Sequence, residues 1–178
     1  MLHYWYMVIK ILLMRKFQKP IEIDETIEHT FRVRLLDCDG LRVMTASKYP
    51  AYMDFIRWEL IARSKLYCIM FKGKMAPSLG SQKIIYRKPL KRGTRFQVTL
   101  DFGGVDSKWV YHIHTFRQKQ QVMAIGITRA LVWKKDISIP MDDLLENATN
   151  KNLKAPSDWI SRLFESDKEI LESHESAL

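Results

Sequence analysis

Cysteine is scarce in this chain. Cys38 and Cys68 are the only two, and they stand far apart. That excludes a disulfide scaffold and a cysteine-based metal motif, and it points to a reducing, cytoplasmic compartment. Long apolar runs are missing too: no segment reaches the roughly 18 uninterrupted apolar residues of a membrane span. The Gly-x-Ser-x-Gly spacing of a nucleophile elbow is absent, although Ser78 and Ser81 flank Gly80. There is no RNP-like or helix-turn-helix signature, so no nucleic-acid partner is expected. Internal repeats and low-complexity tracts are also absent.

What remains is a globular balance. Of 178 residues, 47% are hydrophobic and 28% charged, which fits one domain with extensions. The net charge of +9 is unevenly spread. Residues 141–178 hold nine acidic and four basic residues, whereas residues 1–140 hold 25 basic and 11 acidic. A basic body suits an anionic partner, or it serves solubility alone.

The chain divides into an apolar N-terminal helix (1–20), a central domain (21–140) and an acidic helical extension (141–178). Residues 2–17 read as a short apolar helix closed by Arg15 and Lys16, with Pro20 beyond it. Lys10 interrupts its apolar stretch and no small-residue cleavage site follows, which argues against a secretory signal. Two readings stand: a helix packed on the domain or on a subunit partner, or an interfacial anchor with Trp5 and Tyr6 at headgroup level. The apolar residues encircle most of the helix, which favours packing.

Residues 28–36 alternate, with Phe31, Val33 and Leu35 opposite Arg32 and Arg34, and predict a strand with one wet face. Residues 47–66 predict a mostly buried helix, with Pro50 in its first turn. Strands are expected over 79–88, 94–102, 108–117 and 121–133, with turns at Gly103-Gly104 and Gln118-Lys119-Gln120. A terminal amphipathic helix should run from Ser157, its N-cap, to about Glu172. The fold class is therefore α+β: an antiparallel sheet wrapped around one long helix, with extra N- and C-terminal helices. Such a sheet leaves one face open, which predicts a homodimer or a dimer of dimers.

Leu36-Asp37-Cys38-Asp39-Gly40 lies between the first strand and the long helix. A carboxylate beside a helix start, where backbone N–H groups are free, can act on a carbonyl that those amides hold. Asp37 reads as a structural turn acceptor and Asp39 as the functional carboxylate, although Asp-Gly is also a good turn pair. Thr45 and Ser47 are placed to cap the helix. Tyr49 faces either a ligand pocket or the core. Arg87, Lys88, Lys91 and Arg92 cluster around Pro89, as a phosphate site requires and as a solvated strand end also allows. His112 and His114 share one strand face without a third ligand at a suggestive spacing, so neither a metal nor another cofactor is expected.

Two stretches resemble the hot-dog fold of the 4-hydroxybenzoyl-CoA thioesterase-like superfamily. One is Arg32-Val-Arg-Leu-Leu-Asp37-Cys-Asp39, continuing through Tyr49 and Tyr52-Met-Asp-Phe to Arg63. The other is Ala76-Pro-Ser-Leu-Gly-Ser-Gln-Lys-Ile-Ile-Tyr-Arg-Lys-Pro-Leu90, followed by Gly93. This second stretch is similar to a subgroup of short acyl-CoA thioesterase-like proteins that begin with an apolar helix. The resemblance covers about residues 2–165 and implies a site at a dimer interface.

In that site Asp39 would be general base or nucleophile toward the carbonyl of an acyl-CoA or related thioester. Helix-start amides would polarise that carbonyl, with Thr45 beside them as a second catalytic candidate. Tyr49 and Ser81 would line the substrate site, and Arg87, Lys88, Lys91 and Arg92 would hold the CoA phosphates. The subgroup usually has His-Met-Asn-Asn where this chain has Val43-Met44-Thr45-Ala46. Threonine cannot replace histidine as a neutral-pH base. The alternative is therefore a catalytically weak or inactive protein of this fold that binds an acyl ligand or a protein partner.

Overall fold

The computed structural model describes residues 2–149 and 151–175. It opens with helix α1 (Leu2–Met14) and a 3-10 turn over Arg15–Phe17. Strand β1 (Ile27–Arg32) leads through a second 3-10 turn, Leu35–Asp37, to the long helix α2 (Lys48–Arg63). A short helix α3 (Leu66–Gly73) follows, then β2 (Ala76–Tyr86), β3 (Arg95–Val105), β4 (Val110–Gln118), β5 (Gln121–Lys134) and β6 (Ile137–Ile139). The C-terminal part carries α4 (Met141–Glu146), α5 (Asp158–Leu163) and α6 (Ser166–Glu175). The helix α3 and the strand β6 were not anticipated from the sequence.

The six strands form one antiparallel sheet in the order β1-β3-β4-β5-β2, with β6 paired to β5. Its inner face packs on α2. Met53 and Ile56 on that helix are fully buried against Val98, Leu100 and Phe116 of the sheet. A second apolar cluster, built from α3, α4 and the ends of β3 and β5, closes the far end.

Several expectations need correction, and each has a local cause. The first strand stops at Arg32 rather than at residue 36. The Asp37 carboxylate takes the Arg34 N–H at 2.8 Å and turns the chain. Leu35 and Leu36 are consequently exposed. Gly103 and Gly104 do not form a turn; they lie inside β3, at a bulge between Phe102 and Gly104. The turn comes later, where Asp106 Oδ1 accepts the N–H groups of Lys108 and Trp109.

Gly104 has φ +126°, and a Cβ there would meet the Pro156 nitrogen at 2.4 Å. Residues 154–156 cross β3 at this point, with the Val105 N–H donating to Lys154 O. The strap delivers α5 to the outer face of the sheet. There Ile160 and Phe164 bury against Tyr111 and Ile127, so that face is not left open as expected.

The terminal helix is also broken in two. Lys83 Nζ donates to the Leu163 carbonyl and Arg129 Nη1 to that of Phe164, capturing the carbonyls that would continue α5. Ser157 does stand at its N-cap position, but without a side-chain hydrogen bond to the helix.

Candidate active site

The site is built from the loop that joins β1 to α2. Its two aspartates differ in every contact. Asp37 is buried; Oδ2 accepts the Tyr52 hydroxyl at 2.7 Å as well as the Arg34 N–H, and Lys48 Nζ lies 4.0 Å from Oδ1. Burial, reinforced by the Asp37 carboxylate, pushes the Tyr52 phenol well above its usual range. Asp37 thus ties the loop to the side of α2 and has little capacity left.

Asp39 is exposed. One carboxylate oxygen accepts the Leu41 N–H at 2.9 Å. Its backbone closes a small hairpin: Asp39 N–H donates to Val43 O and Arg42 N–H to Asp39 O. Arg42 has φ +61°, which gives the hairpin its tight reversal. This hairpin is stitched to the segment before β3 by Met44 N–H to Leu90 O and Arg92 N–H to Arg42 O, with Val43 bridged to Lys91. Cys38 sits between the aspartates and donates its thiol to Arg34 O at 3.3 Å. Burial and then Asp37 push that thiol up, while Arg92 opposes them.

Thr45 and Ser47 do not cap α2 with their side chains; their hydroxyls pair with each other at 3.1 Å. Backbone groups make the start of the helix instead, Lys48 N–H donating to Thr45 O and Tyr49 N–H to Ala46 O. Among the described residues, the amides of Ala46 and Ser47 have no backbone acceptor. Both residues are exposed.

The predicted basic quartet is divided. Lys91 and Arg92 are held beside the Asp39 hairpin by the backbone pairing above. The N–H groups of Arg87 and Lys88 both donate to Met123 O, at the other end of the segment. Tyr49 lies in the core, 5.1 Å from the Tyr86 ring and 5.0 Å from Phe116. Ser81 is on β2 opposite Arg129, in a separate part of the sheet. His112 and His114 are buried on the inner sheet face. Among the described residues no three His, Cys, Asp or Glu side chains converge.

Sequence reasoning missed two charged groups on α2. Glu59 is buried and accepts from His29 Nδ1 at 3.0 Å and Arg63 Nη1 at 2.7 Å. Burial alone would raise its carboxyl, but those two partners outweigh it and hold it low. Arg57, paired with Asp54, is the other. The i,i+3 and i,i+4 spacings of these charges were the available signal, masked by the apolar residues around them.

An antiparallel sheet curled around one long helix is the hot-dog fold. The sequence profile of the thioesterase-like superfamily matches residues 33–158, and the chain belongs to that superfamily. Solved structures agree in fold. A 1,4-dihydroxy-2-naphthoyl-CoA thioesterase from Synechocystis is 18% identical, with TM-score 0.59 over 70% of this chain and 95% of that one. A Staphylococcus aureus protein in complex with CoA is 13% identical, with TM-score 0.61 over 74% and 85%. A mutant of 4-hydroxybenzoyl CoA thioesterase complexed with 4-hydroxybenzoyl CoA is 11% identical, with TM-score 0.61 over 70% and 99%. Comparison with curated protein sequences gives no match.

Proposed function

We propose that this protein hydrolyses an acyl-CoA or related acyl thioester with Asp39 as general base or nucleophile. The observation that carries the reading is the contrast between the two aspartates: Asp37 is consumed by Tyr52 and Arg34, whereas Asp39 is exposed and makes one local hydrogen bond. A carboxylate so placed can take a proton from water or attack the thioester carbonyl. The amides of Ala46 and Ser47 supply donors for the oxyanion, with the Thr45 hydroxyl beside them. Lys91 and Arg92 flank the hairpin and suit the CoA phosphates, with Arg87 and Lys88 further along.

The partners follow from the same geometry. Strand β2 pairs only with β5 among the described residues, so its second edge suits a second copy and a homodimer. One side of α1 packs on the core through Val8, Met7 and Ile11. The other presents Trp5, Ile9 and Leu13 to solvent with Lys10, and the 3-10 turn that follows adds Lys16 and Phe17, which suits contact with an anionic membrane surface. No helix among the described residues is long and apolar enough to cross a membrane. The two free thiols fit a cytoplasmic setting.

The test is a panel of aliphatic and aromatic acyl-CoAs, with wild type beside Asp39→Asn and Asp37→Asn. Asp39→Asn should lower turnover by about two to four orders of magnitude and leave melting unchanged. Asp37→Asn should lower stability first. Equal rates for wild type and Asp39→Asn would remove the mechanism. A wild type inert to the whole panel would replace hydrolysis by acyl-ligand or protein binding, with Val43-Met44-Thr45-Ala46 as the cause.

A further inference from the structure

Beneath the middle of α2 lies a cavity of about 190 Å³. Leu60 and Ile61 of α2, Met70 of α3, Val110 of β4, Ala130 of β5 and Leu145 of α4 form its apolar wall. Tyr4, the partly exposed Asp54 and the exposed Leu79 also line it. Arg57 is nine residues along the helix from Lys48, roughly 13 Å at the α-helical rise. No residue of the Asp39 hairpin lines the cavity.

One wall is polar and incompletely satisfied. The Arg57 side chain is 12% exposed and pairs with Asp54 through Nη2, while Nη1 has no partner. His112 is 6% exposed and its Nδ1 has no partner. Both residues line the cavity. Behind them His112, Thr128 and Gln82 form one row across β4, β5 and β2, and the His114 Nδ1 and Gln82 Oε1 atoms are also buried without partners. Unmet buried polar groups are rare in native proteins, and each calls for an occupant or a reason.

Water alone is a poor occupant. The volume corresponds to about six waters, each needing two to four polar partners, and most of the lining is apolar, with Tyr4, Asp54, Trp58 and Ser78 the polar residues besides Arg57 and His112. An apolar void of about 150 Å³, by contrast, takes a benzene-sized molecule. The polar end sets the rest. Guanidinium N–H groups only donate, so Nη1 requires an acceptor. Charge is already balanced there by the Arg57–Asp54 pair. Burial, with Arg57 nearby, pushes His112 down to about 3, so it is neutral at pH 7. An anion would bring an uncompensated charge into low dielectric.

We propose that this cavity is a binding site for a small neutral molecule with an apolar body of about benzene's size and one accepting oxygen, held by Arg57 and His112. A ketone or ester carbonyl has this chemistry. The oxygen receives the free Arg57 N–H while the body replaces the void against Leu60, Val110 and Ala130.

The full-length protein is titrated with toluene, acetophenone and benzoate, followed by ligand-detected NMR. Acetophenone should bind about tenfold or more tighter than toluene, reflecting a hydrogen bond to a charged donor, and benzoate should bind weakest. Arg57→Met should erase the advantage of acetophenone while toluene still binds, and His112→Phe should weaken acetophenone more than toluene. Ala130→Leu fills the wall and should expel both. Circular dichroism melting checks each variant, and the two polar-end variants stand in for one another if one fails to fold. Absence of binding by all three probes, tightest binding of benzoate, or an unchanged preference in the folded polar-end variants would overturn the proposal. So would undiminished binding in a folded Ala130→Leu protein.

Discussion

Tyr52 separates the roles of the two loop aspartates. Its hydroxyl reaches Asp37 from the buried side of α2, leaving Asp39 to face solvent. The Asp-x-Asp spacing was legible in the sequence, and so was Asp37 as an acceptor in the turn. The partner of Asp37 was not, because Tyr52 read as one apolar position among many. Arg57, His112 and His114 were harder still: a charge on a buried helix and two histidines on a strand gain meaning only when sheet and helix meet. The histidines have a measurable consequence. Burial first, and then Arg57, lower both imidazoles below their usual value. The unfolded chain takes up these protons below about pH 6.5 and the folded chain does not. Stability should therefore fall as pH drops from about 6.5, for His112 down to about 3. At pH 5 His112 alone should cost about 2 kcal/mol relative to neutral pH. Urea unfolding at pH 7 and pH 5 checks this; equal free energies would mean that the two rings are not buried in solution.

At the scale of elements, hydropathy patterning placed α1, α2 and the meander β3-β4-β5 because each has a consistent period over many residues. It failed where a side chain from elsewhere decided the backbone. Asp37 stopped β1, Lys83 and Arg129 stopped α5, and the crossing at Pro156 made Gly104 part of a strand. Helix α1 has one side docked on the core and the other bare. Phe17, in the 3-10 turn that follows, is 83% exposed. Replacing Ile9, Leu13 and Phe17 together by Ser should abolish sedimentation with anionic vesicles and leave the melting temperature nearly unchanged, since exposed substitutions rarely exceed about 0.5 kcal/mol. Vesicle binding that survives this change would assign the contact to another surface. Deleting residues 2–17 should instead lower stability, because Val8 is buried against α2 and its neighbours.

For the whole molecule, the sequence argued for a dimer from an uncovered sheet face. The strap and α5 cover part of that face, and the proposed dimer rests instead on the edge of β2, whose eleven residues from Ala76 to Tyr86 pair on one side among the described residues. Light scattering at micromolar concentration should give a mass near twice 21.1 kDa or a multiple of that. A clean monomer would remove the dimer and, with it, a site shared between copies. The strap was not legible beforehand, because residues 147–156 carry no periodic pattern in the sequence and the contacts that fix residues 151–156 come from elsewhere in the chain: Asp24 pairs with Lys151, and Gly104 and the Val105 N–H on β3 receive residues 154–156.

The strand order also sets a timetable. The central strands are joined by turns as tight as Gln118 to Gln121, whereas Ile27 must find Leu100 and Tyr86 must find Ala124. Closing longer loops costs more chain entropy, so the meander assembles first and the outer strands arrive last, one on each flank. β1, with the longer loop to close, arrives after β2, and among the described residues the other edge of β2 is bare. Folding and the proposed self-association meet on the same eleven residues. During synthesis at high concentration, a chain that has not yet seated β2 offers β5 to its neighbours, and that interval is when mispairing competes with the native sheet.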